Sequence, residues 1–276
     1  MKNLKLCFIG AGNMASALIG GLISDDGISP ENIIVTDVND TQLSKLEEKY
    51  GVSSCGNNSG PIVKADVVVL CVKPQLMSGI CQEIVESVLA SQPLVISVAA
   101  GITTENIKSW LGEKTAVVRC MPNTPALITT GATGLFANEN VSDEQKITAE
   151  NILRSVGIVV WVETEKEIDY VTALSGSGPA YFFRMMESME NAAVNLGLSK
   201  DVAHLLTLQT ALGAAKLAME SEESIAELRE KVTSPGGTTE QGLLAMNNAD
   251  IDGMFKNTLQ AASDRAEVLS KEFGES

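Results

Sequence analysis

The apolar residues in the first half of the chain fall into short runs separated by helix-like stretches. Runs rich in β-branched side chains predict strands at residues 4–9, 33–36, 67–72, 94–98, 116–120, 133–137 and 158–162. Strands that alternate with helices require right-handed crossovers, which build a doubly wound parallel sheet. This half is therefore predicted to be an α/β domain with a Rossmann-like sheet.

The last strand of this series marks a change in pattern. Before it, Ser142 and Gln145 form a capping box for a helix with one apolar stripe. After Val162 no strand pattern follows, and the periodicity becomes helical almost throughout. We therefore predict two domains, the sheet domain at residues 1–163 and an all-helical domain at residues 164–276.

Two long helices are predicted in the second domain, at residues 181–196 and 200–219. Both are apolar on more than one face, and small residues cluster between Ala211 and Ala215. A helix that is apolar all round must be buried, yet about 110 residues of helices offer limited interior for it. We therefore expect these helices to pack against a second copy of the chain, in a homodimer or a larger homo-oligomer.

Composition narrows the range of partners and chemistries. The formal net charge of −15 disfavours nucleic acid and anionic membrane surfaces, because both bind clustered Lys and Arg. No run of 18 apolar residues and no cleavable apolar N-terminal segment occurs, so we expect a cytoplasmic protein. The five cysteines form no C-x-x-C pair and are interpreted as reduced core residues. The single histidine, His204, argues against a His-rich metal site, and no metal is predicted.

A glycine-rich turn follows the first predicted strand and opens a helical pattern. It has the G-x-G-x-x-A form of a dinucleotide-binding fingerprint, in the order Gly10, Ala11, Gly12, Asn13, Met14, Ala15. Gly10 allows the tight turn, and Gly12 lets a pyrophosphate approach the helix N-terminus, where unpaired N–H groups favour negative charge. The turn predicts an NADH or NADPH site, although a purely structural tight turn has the same pattern.

Asp37 ends the second predicted strand, at about the distance from the glycines that is expected of a ribose-binding acid. A carboxylate there accepts hydrogen bonds from both ribose hydroxyls and repels a 2′-phosphate. No Arg or Lys occurs at residues 38–42 to bind such a phosphate. Asp37 therefore favours NADH over NADPH, while the simpler interpretation is that it caps the strand-end turn or the next helix.

Three further predicted strands end in residues that the same cofactor would pass. Ligands of doubly wound sheets lie at the carboxyl ends of the strands. Lys73 is expected to contact a phosphate or ribose, and Asn123 to hydrogen-bond a nicotinamide or ribose group. The other expected cofactor neighbours in these loops are Val72, Pro74, Ala99, Ala100 and Met121. Prolines in such loops also start helices and stiffen turns without any ligand.

Two turns of the second domain combine glycines with hydroxyls, as a carboxylate-binding turn requires. The first begins at Ser175, and its alternating glycines are expected to leave the backbone N–H groups free to approach a ligand. Pro179 then presets the first turn of a helix. The second begins at Ser234 and opens the next helix. The expected substrate contacts in them are Ser175, Gly176, Ser177, Gly236, Gly237, Thr238 and Thr239. The alternatives are an interdomain hinge for the first turn and a simple threonine N-cap for the second.

Motifs spread along the chain, taken in order, resemble those of pyrroline-5-carboxylate reductases. They are GAGNM at residues 10–14, VKP at 72–74, AAG at 99–101, RCMPNTP at 119–125, LSGSGPAY at 174–181 and TSPGGTT at 233–239. The last two are far more specific than the nucleotide fingerprint. The resemblance covers essentially the whole chain and implies reduction of 1-pyrroline-5-carboxylate to L-proline by NADPH or NADH, the last step of proline biosynthesis. It also implies a nucleotide-binding first domain and a substrate-binding second domain that interleaves with its partner in a dimer.

The resemblance also assigns roles by position. The matched cofactor positions are Gly10, Gly12, Asn13, Met14, Val72, Lys73, Ala99 and Ala100, together with Asn58 near the cofactor ribose. The matched substrate positions are Ser175, Gly176, Gly237, Thr238 and Thr239, with Glu222 as a further candidate. One departure is Ile225, where relatives commonly carry Pro, and it bears on the local path of the chain near Glu222.

The residue types indicate how such a reaction runs. Hydride passes from C4 of the nicotinamide to C5 of the ring C=N bond, whose nitrogen must carry a proton. An imine is basic enough to bring that proton, so no His or Lys acid is required. Thr239 is the candidate catalytic residue, because its hydroxyl can hydrogen-bond the nitrogen or order a water, and its main service would be positioning.

Two other functions fit parts of the pattern. A β-hydroxyacid-dehydrogenase-like reductase shares the first domain, but the K-x-x-x-N pair of such enzymes does not occur after residue 163. A non-catalytic nucleotide-binding regulator would keep the fold without the reaction. The two carboxylate turns argue against the regulator.

Overall fold

The computed structural model describes residues 3–24 and 27–274 of the chain. The strands are β1 (Leu6–Ile9), β2 (Ile33–Thr36), β3 (Ser53–Cys55), β4 (Val67–Leu70), β5 (Leu94–Ser97), β6 (Val117–Met121), β7 (Gly131–Ala137) and β8 (Gly157–Trp161). The helices are α1 (Asn13–Ser24), α2 (Asp40–Tyr50), α3 (Ser59–Ile62), α4 (Met77–Ser91), α5 (Thr104–Leu111), α6 (Asp143–Arg154), α7 (Glu167–Val171), α8 (Gly178–Asn195), α9 (Lys200–Glu220), α10 (Ile225–Lys231), α11 (Thr238–Asn248) and α12 (Ile251–Gly274). A π-helical turn, Thr172–Gly176, lies between α7 and α8.

The eight strands form one sheet in the order β3-β2-β1-β4-β5-β6-β7-β8. Neighbouring strands run parallel except β6 and β7, which are antiparallel. Residues 122–130, which connect that pair, are too few for a parallel crossover, which takes about a dozen residues or more. The predicted doubly wound parallel sheet is confirmed, with this one reversal near its end.

One strand of the sheet, β3, was not predicted. It is a three-residue edge strand of sequence SSC, with no fully buried side chain, and it pairs with β2 alone. A short polar edge strand has no apolar run that would reveal it. The seven predicted strands are present, with ends that differ from the prediction by at most two residues.

Helices cover both faces of the sheet. Leu6 and Phe8 of β1 belong to a core shared with α1, α2 and α6, while Cys7 and Ile9 belong to a second core shared with α3, α4 and α5. Successive side chains of a strand point to opposite faces, so a strand covered on both sides is apolar at every position. That burial explains why β1, β4 and β5, each buried at all four positions, appear in the sequence as continuous apolar runs.

All five cysteines are free thiols, and four of them, Cys7, Cys71, Cys81 and Cys120, lie in or beside these cores, while Cys55 is half-buried in the edge strand β3. Burial raises the pKa of the Cys7 and Cys81 thiols to about 12. Burial also raises the pKa of Cys120, whose Sγ donates to the carbonyl of Ser97 at 3.1 Å. Such thiols stay protonated at neutral pH and are poor nucleophiles. The interpretation as reduced core residues agrees with this environment for the four cysteines of the cores, and Cys55 is not a core residue.

The chain divides into two compact units, Met1–Ser177 with Ala261–Ser276, and Gly178–Gln260. The first unit contains the whole sheet, α7, the π turn and the C-terminal part of α12. The second contains α8, α9, α10 and α11. This division by packing falls after the π turn, whereas the predicted boundary follows the last strand. The division into residues 1–163 and 164–276 stays a prediction.

The helices of the second unit expose large apolar side chains. Phe183 of α8 is 66% exposed, and Leu205 and Leu212 of α9 are 67% and 62% exposed. By length and composition alone α9 could cross a membrane, with 11% of its most apolar window buried, and one such helix is weak evidence of a span. Apolar surface of this extent is typical of an interaction surface. It is the surface that the predicted packing against a second copy would use.

Candidate active site

The glycine-rich turn connects β1 to α1 at the carboxyl end of the sheet. Gly10 has a φ of +101°, and a Cβ on it would lie 2.6 Å from the carbonyl oxygen of Cys71. Its own N–H donates to the carbonyl of Thr36 at 2.8 Å. A side chain at this position would therefore meet both an unfavourable backbone angle and a backbone clash, so the tight turn requires glycine.

Beyond Gly10, the turn leaves room for a ligand. Among the described residues, and apart from its two chain neighbours, no atom lies within 4 Å of the position that a Cβ on Gly12 would take. In the described part of the chain, the N–H groups of Asn13, Met14 and Ala15 have no hydrogen-bond partner. They open α1, whose dipole adds positive potential at its N-terminus. These open donors are the features that a phosphate needs.

A cavity of about 610 Å³ adjoins the glycine-rich turn and runs between α1 and α2. Two lysines of α2, Lys45 and Lys49, lie along it, and Glu48 lies beside them. Both lysines follow residues 38–42, the segment after Asp37 that contains no cation. Because a helix brings residues three and four apart onto one face, Lys45 and Lys49 reach the same groove. The groove therefore contains positive charge that Asp37 alone did not indicate.

Asp37 is hydrogen-bonded to the backbone on both sides of its strand end. Its Oδ2 accepts from the N–H of Ala11 at 2.7 Å, and its Oδ1 accepts from the N–H of Asn39 at 2.8 Å. The N-cap of α2 is Asn39, whose side chain accepts from the N–H of Gln42. Asp37 thus caps the turn after its strand, but the helix cap belongs to Asn39. Each carboxylate oxygen keeps a further lone pair, so ribose binding stays a prediction.

Asn58 lies beside the carboxyl end of β2. Its Oδ1 accepts from the buried hydroxyl of Thr36 at 2.5 Å, and its Nδ2 donates to both carboxylate oxygens of Glu83 at 3.1 Å. Neighbouring Asn57 instead accepts from the N–H of Ser59 at 2.8 Å, at the start of α3. The two asparagines therefore have different local roles, and Asn58 is the one held at the ligand-binding edge of the sheet. Glu83, which holds it, was not singled out from the sequence.

The loops after β4 and β5 contain the next predicted cofactor residues. Val72 lies against Gly10, Lys73 is exposed, and Pro74 begins a 3₁₀ turn. After β5, Gly101 has a φ of +75° and lies under Phe273 of α12. The neighbouring predicted contacts are the buried Ala99 and the half-buried Ala100. Pro74 therefore starts a turn, as its alternative interpretation predicted. The cofactor contacts of these two loops stay predictions.

The loop after β6 meets the first predicted substrate turn. Met121 lies against Gly176, where a Cβ would come within 2.6 Å of the methionine Cε. Asn123 donates from Nδ2 to the carbonyl of Ser175 at 2.9 Å and accepts at Oδ1 from the N–H of Ala132 at 2.9 Å. Two residues predicted for the cofactor and two predicted for the substrate therefore lie together within the first unit.

The first substrate turn has a different backbone from the one expected. It is the π turn, in which the N–H of Ser177 donates to the carbonyl of Thr172 at 2.8 Å. The expectation that the N–H groups of this turn are free is therefore wrong for Ser177, because the π turn uses that donor internally. The Ser175 hydroxyl donates to the carbonyl of Val171 at 3.1 Å, while that of Ser177 has no partner among the described residues. The two compact units divide directly after this turn, so the hinge interpretation stays open.

The second substrate turn opens α11. Its N-cap is Gly237, without any side-chain cap bond, so the alternative of a threonine N-cap is wrong. Gly236 has a φ of +73°, and its N–H donates to Glu240 at 2.8 Å. The N–H of Gly237 donates to the carbonyl of Ser234 at 2.9 Å. Glycines shape this turn, but their own N–H groups are already used.

The open donors of the second turn come one residue later. Within the range 27–274, the N–H groups of Thr238, Thr239 and Glu240 have no hydrogen-bond partner, and neither do the two threonine hydroxyls. Thr238 and Thr239 are exposed. Neighbouring N–H groups at the start of an eleven-residue helix, with hydroxyls beside them, are suited to a carboxylate.

Glu222 lies in the segment between α9 and α10. Its side chain is exposed, and the described part of the chain offers it no hydrogen bond or ion pair. Ile225 begins α10 behind an N-cap at Ser224, whose capping box with Glu227 starts the helix without the proline of relatives. The departure at Ile225 therefore does not prevent the helix from forming, and a substrate contact of Glu222 stays a prediction.

A buried ionic network was missed from the sequence. Arg119 on β6 is 2% exposed and pairs with Glu165 at 3.2 Å and with Asp169 at 3.0 Å. Glu165 also accepts from the N–H of Thr104 at 2.7 Å. The network attaches α7 to the sheet and so positions the chain that enters the π turn. The partners lie 46 and 50 residues from the arginine, and the only signal was a lone Arg inside an apolar strand.

Comparison with protein families matches both halves of the chain. Residues 165–269 match a family described as pyrroline-5-carboxylate reductase dimerisation, and residues 5–101 match one described as NADP oxidoreductase, coenzyme F420-dependent. The chain is also 45% identical over 275 residues to the pyrroline-5-carboxylate reductase of Pseudomonas aeruginosa, and the alignment covers 100% of both proteins.

Solved structures give the same result. The pyrroline-5-carboxylate reductase of Coxiella burnetii is 47% identical, with a TM-score of 0.94 over 98% of this chain and 99% of the other. The pyrroline carboxylate reductase of Plasmodium falciparum, solved with NADP bound, is 29% identical, with a TM-score of 0.86 over 98% and 99% of the two chains.

A Rossmann-like sheet with a glycine-rich phosphate turn, followed by a helical region, defines a nicotinamide-dependent oxidoreductase of two parts. The full-length identity and the dimerisation region narrow that class to one family. The chain belongs to the pyrroline-5-carboxylate reductase family, and the resemblance carried by its motifs is confirmed.

Proposed function

We propose that this chain reduces 1-pyrroline-5-carboxylate to L-proline with hydride from NADH or NADPH. The observation that carries the proposal is the meeting of the β6 loop with the Ser175 turn. Met121 ends β6 of the sheet and lies against Gly176, and Asn123 follows that strand and hydrogen-bonds Ser175. A nicotinamide at that strand end would be adjacent to an imino acid on the turn, which is the geometry that hydride transfer requires.

The substrate carboxylate needs hydrogen-bond donors. The unpartnered N–H groups of Thr238 and Thr239 support a role for the second turn, since they open a helix whose dipole favours an anion. The free hydroxyl of Ser177 supports a role for the first. The proposed substrate residues are Ser175, Gly176, Ser177, Gly236, Gly237, Thr238 and Thr239, with Glu222 as a further contact.

The reaction adds a hydride to a carbon that is already activated. The pyrroline nitrogen is protonated in the reactive form, so the hydride from C4 of the nicotinamide enters C5 and the electron pair of the C=N bond moves to nitrogen. Proline and NAD(P)⁺ result without a further acid. The hydroxyl of Thr239 is proposed to hydrogen-bond the ring nitrogen or order a water beside it. Its contribution is positioning, which supplies much of the rate of such a transfer.

The cofactor is proposed to bind along the carboxyl ends of the strands. The unpartnered N–H groups that open α1 support binding of the pyrophosphate by the glycine-rich turn. The proposed cofactor contacts are Gly10, Ala11, Gly12, Asn13, Met14, Asp37, Asn58, Val72, Lys73, Pro74, Ala99, Ala100, Met121 and Asn123. We propose NADH as the preferred cofactor, because the Asp37 carboxylate repels a 2′-phosphate. The positive charges of Lys45 and Lys49 attract a 2′-phosphate, so the preference for NADH over NADPH is expected to be moderate.

The exposed apolar faces of α8 and α9 support assembly through residues 165–269, the range that matches the dimerisation family. We propose a homodimer as the minimal assembly, located in the cytoplasm. Sedimentation at micromolar concentration tests it, and a monomer there contradicts it.

A spectrophotometric assay tests the function. NAD(P)H oxidation is followed at 340 nm with 1-pyrroline-5-carboxylate, with a panel of β-hydroxyacids in the reverse direction, and with each cofactor in turn. We expect turnover of the pyrroline with both cofactors and a higher kcat/KM with NADH. Turnover of β-hydroxyacids alone would identify the alternative reductase, and no turnover of any substrate would identify a nucleotide-binding regulator.

A further inference from the structure

The carbonyl of Ser175 lacks the partner that a helix would give it. In an α-helix a carbonyl accepts from the N–H four residues later, and the residue four after Ser175 is Pro179, which has no N–H. The π turn would use the N–H five residues later, and among the described residues the N–H of Ala180 does not donate to Ser175 either. A half-buried carbonyl without a partner is costly, so the turn needs a donor from elsewhere. The donor is Nδ2 of Asn123, at 2.9 Å.

The orientation of the Asn123 amide is fixed by its two partners. The N–H of Ala132 can only donate, and it meets Oδ1 at 2.9 Å. The carbonyl of Ser175 can only accept, so it must face Nδ2. Asn123 is 9% exposed, and rotation of the amide would break both bonds at once. One side chain therefore ties the Ser175 turn to β7 in a single geometry.

We propose that Asn123 is a positioning residue for the substrate, acting by replacing the hydrogen bond that Pro179 cannot give to the Ser175 carbonyl. This inference rests on the proposed function, because it gives Ser175 and Gly176 the role of substrate contacts. It is the alternative to a contact with the nicotinamide or ribose, which was expected from the sequence and is included for Asn123 among the proposed cofactor contacts. The two roles predict different kinetic effects.

The test compares Asn123→Ala with Asn123→Ala/Pro179→Ala. Alanine at 123 removes the donor, and alanine at 179 returns a backbone N–H to the position from which a helix would supply it. We expect Asn123→Ala to raise the KM for 1-pyrroline-5-carboxylate roughly ten- to a hundredfold, with a KM for NADH within about twofold of wild type. Adding Pro179→Ala should return the KM for 1-pyrroline-5-carboxylate most of the way to its wild-type value, although it does not restore the bond to Ala132.

Asn138→Ala is the matched control. Asn138 is 5% exposed, and its amide makes the same pair of backbone bonds at the other end of β6, accepting from the N–H of Val117 at 3.1 Å and donating to the carbonyl of Thr115 at 3.0 Å. Its loss should lower the melting temperature as the Asn123 variant does, and should leave both KM values unchanged. Pro179→Ala should not rescue it.

The outcomes separate the two roles. A raised KM for NADH in Asn123→Ala, with no rescue by Pro179→Ala, overturns the inference in favour of a cofactor contact. Equal effects of Asn123→Ala and Asn138→Ala on KM also overturn it, because the role is then only structural. If Asn123→Ala does not accumulate, Asn123→Ser, which keeps a short donor, takes its place in the same comparison. Absence of pyrroline reduction by the wild-type protein contradicts the proposed function itself, whereas loss of rescue contradicts this inference alone.

Discussion

The carboxylate of Asp37 accepts a hydrogen bond from the backbone N–H of Ala11 at 2.7 Å, which joins the end of β2 to the glycine-rich turn. The same carboxylate accepts from the N–H of Asn39 at 2.8 Å. The acid proposed to bind ribose thus also shapes the glycine-rich turn beside it. A change at this position should act on the discrimination of cofactors and on the turn together.

Replacement of Asp37 should therefore change cofactor preference by two routes. Asp37→Asn removes the charge that repels a 2′-phosphate, so the ratio of kcat/KM for NADPH to that for NADH should rise roughly tenfold, the factor for about 1.4 kcal/mol of repulsion. Its amide nitrogen cannot accept from a backbone N–H, so kcat/KM for NADH should also fall. Steady-state kinetics with both cofactors measures the two effects. An unchanged ratio would remove Asp37 as a determinant of cofactor choice.

The hydroxyl of Thr239 should matter more than its methyl group. Thr239→Val keeps the shape of the side chain and removes the hydroxyl, so kcat/KM for 1-pyrroline-5-carboxylate should fall roughly ten- to a thousandfold. Thr239→Ser keeps the hydroxyl and should retain most of the activity. Wild-type kinetics in the valine variant would exclude Thr239 from the reaction.

The buried ion pairs of Arg119 should contribute much more to the free energy of unfolding than an exposed ion pair does. Asp169→Ala leaves the arginine, whose side chain is 3% exposed, with one carboxylate, and the free energy of unfolding should fall by about 3–5 kcal/mol. Glu187→Ala breaks the pair of Arg184 and Glu187, whose side chains are 71% and 61% exposed, and should cost less than about 1 kcal/mol. Urea unfolding at one protein concentration compares them. Equal losses would contradict the structural role of the network.

The bond between Glu150 and Trp161 should titrate at acid pH. The indole N–H donates to Glu150 at 2.8 Å, and this bond, followed by that of Arg154, lowers the pKa of the carboxyl group. A lowered pKa in the folded state means that the bond stabilises the fold above the unfolded value of about 4.3 and is lost as the pH falls through the lower folded value. In a Trp110→Phe background, the fluorescence of Trp161 should stay constant from pH 7 to about pH 5 and change below about pH 4. Glu150→Gln should abolish that change, and a step that persists in the glutamine variant would assign it to another group.

Short-range patterns in the sequence predicted much of the fold. The apolar runs of the inner strands became strands because burial on both faces of the sheet makes each strand position apolar. The edge strand β8 is different, since Ile158 and Val160 are more than half exposed there, and its β-branched residues were the signal. The capping box of Ser142 and Gln145 formed as predicted. The requirement for glycine at residue 10 was also predictable from the sequence, because the turn between strand and helix is local. The antiparallel β7 was not predicted, although the short connection before it contains the reason.

The same distinction between local patterns and long-range contacts applies to the candidate site. The sequence alone determined which turns are rich in glycines and hydroxyls, and its motifs indicated the family, because both depend on residues that are neighbours in the chain. Only the tertiary structure decided that Asn123 holds Ser175, that Glu83 holds Asn58, and that Arg119 pairs with Glu165 and Asp169. These contacts join residues 25 to 52 positions apart, and no periodicity in the sequence predicts contacts over such separations. Folding brings them together by closing loops between distant elements, and that step depends on the packing of the whole sheet.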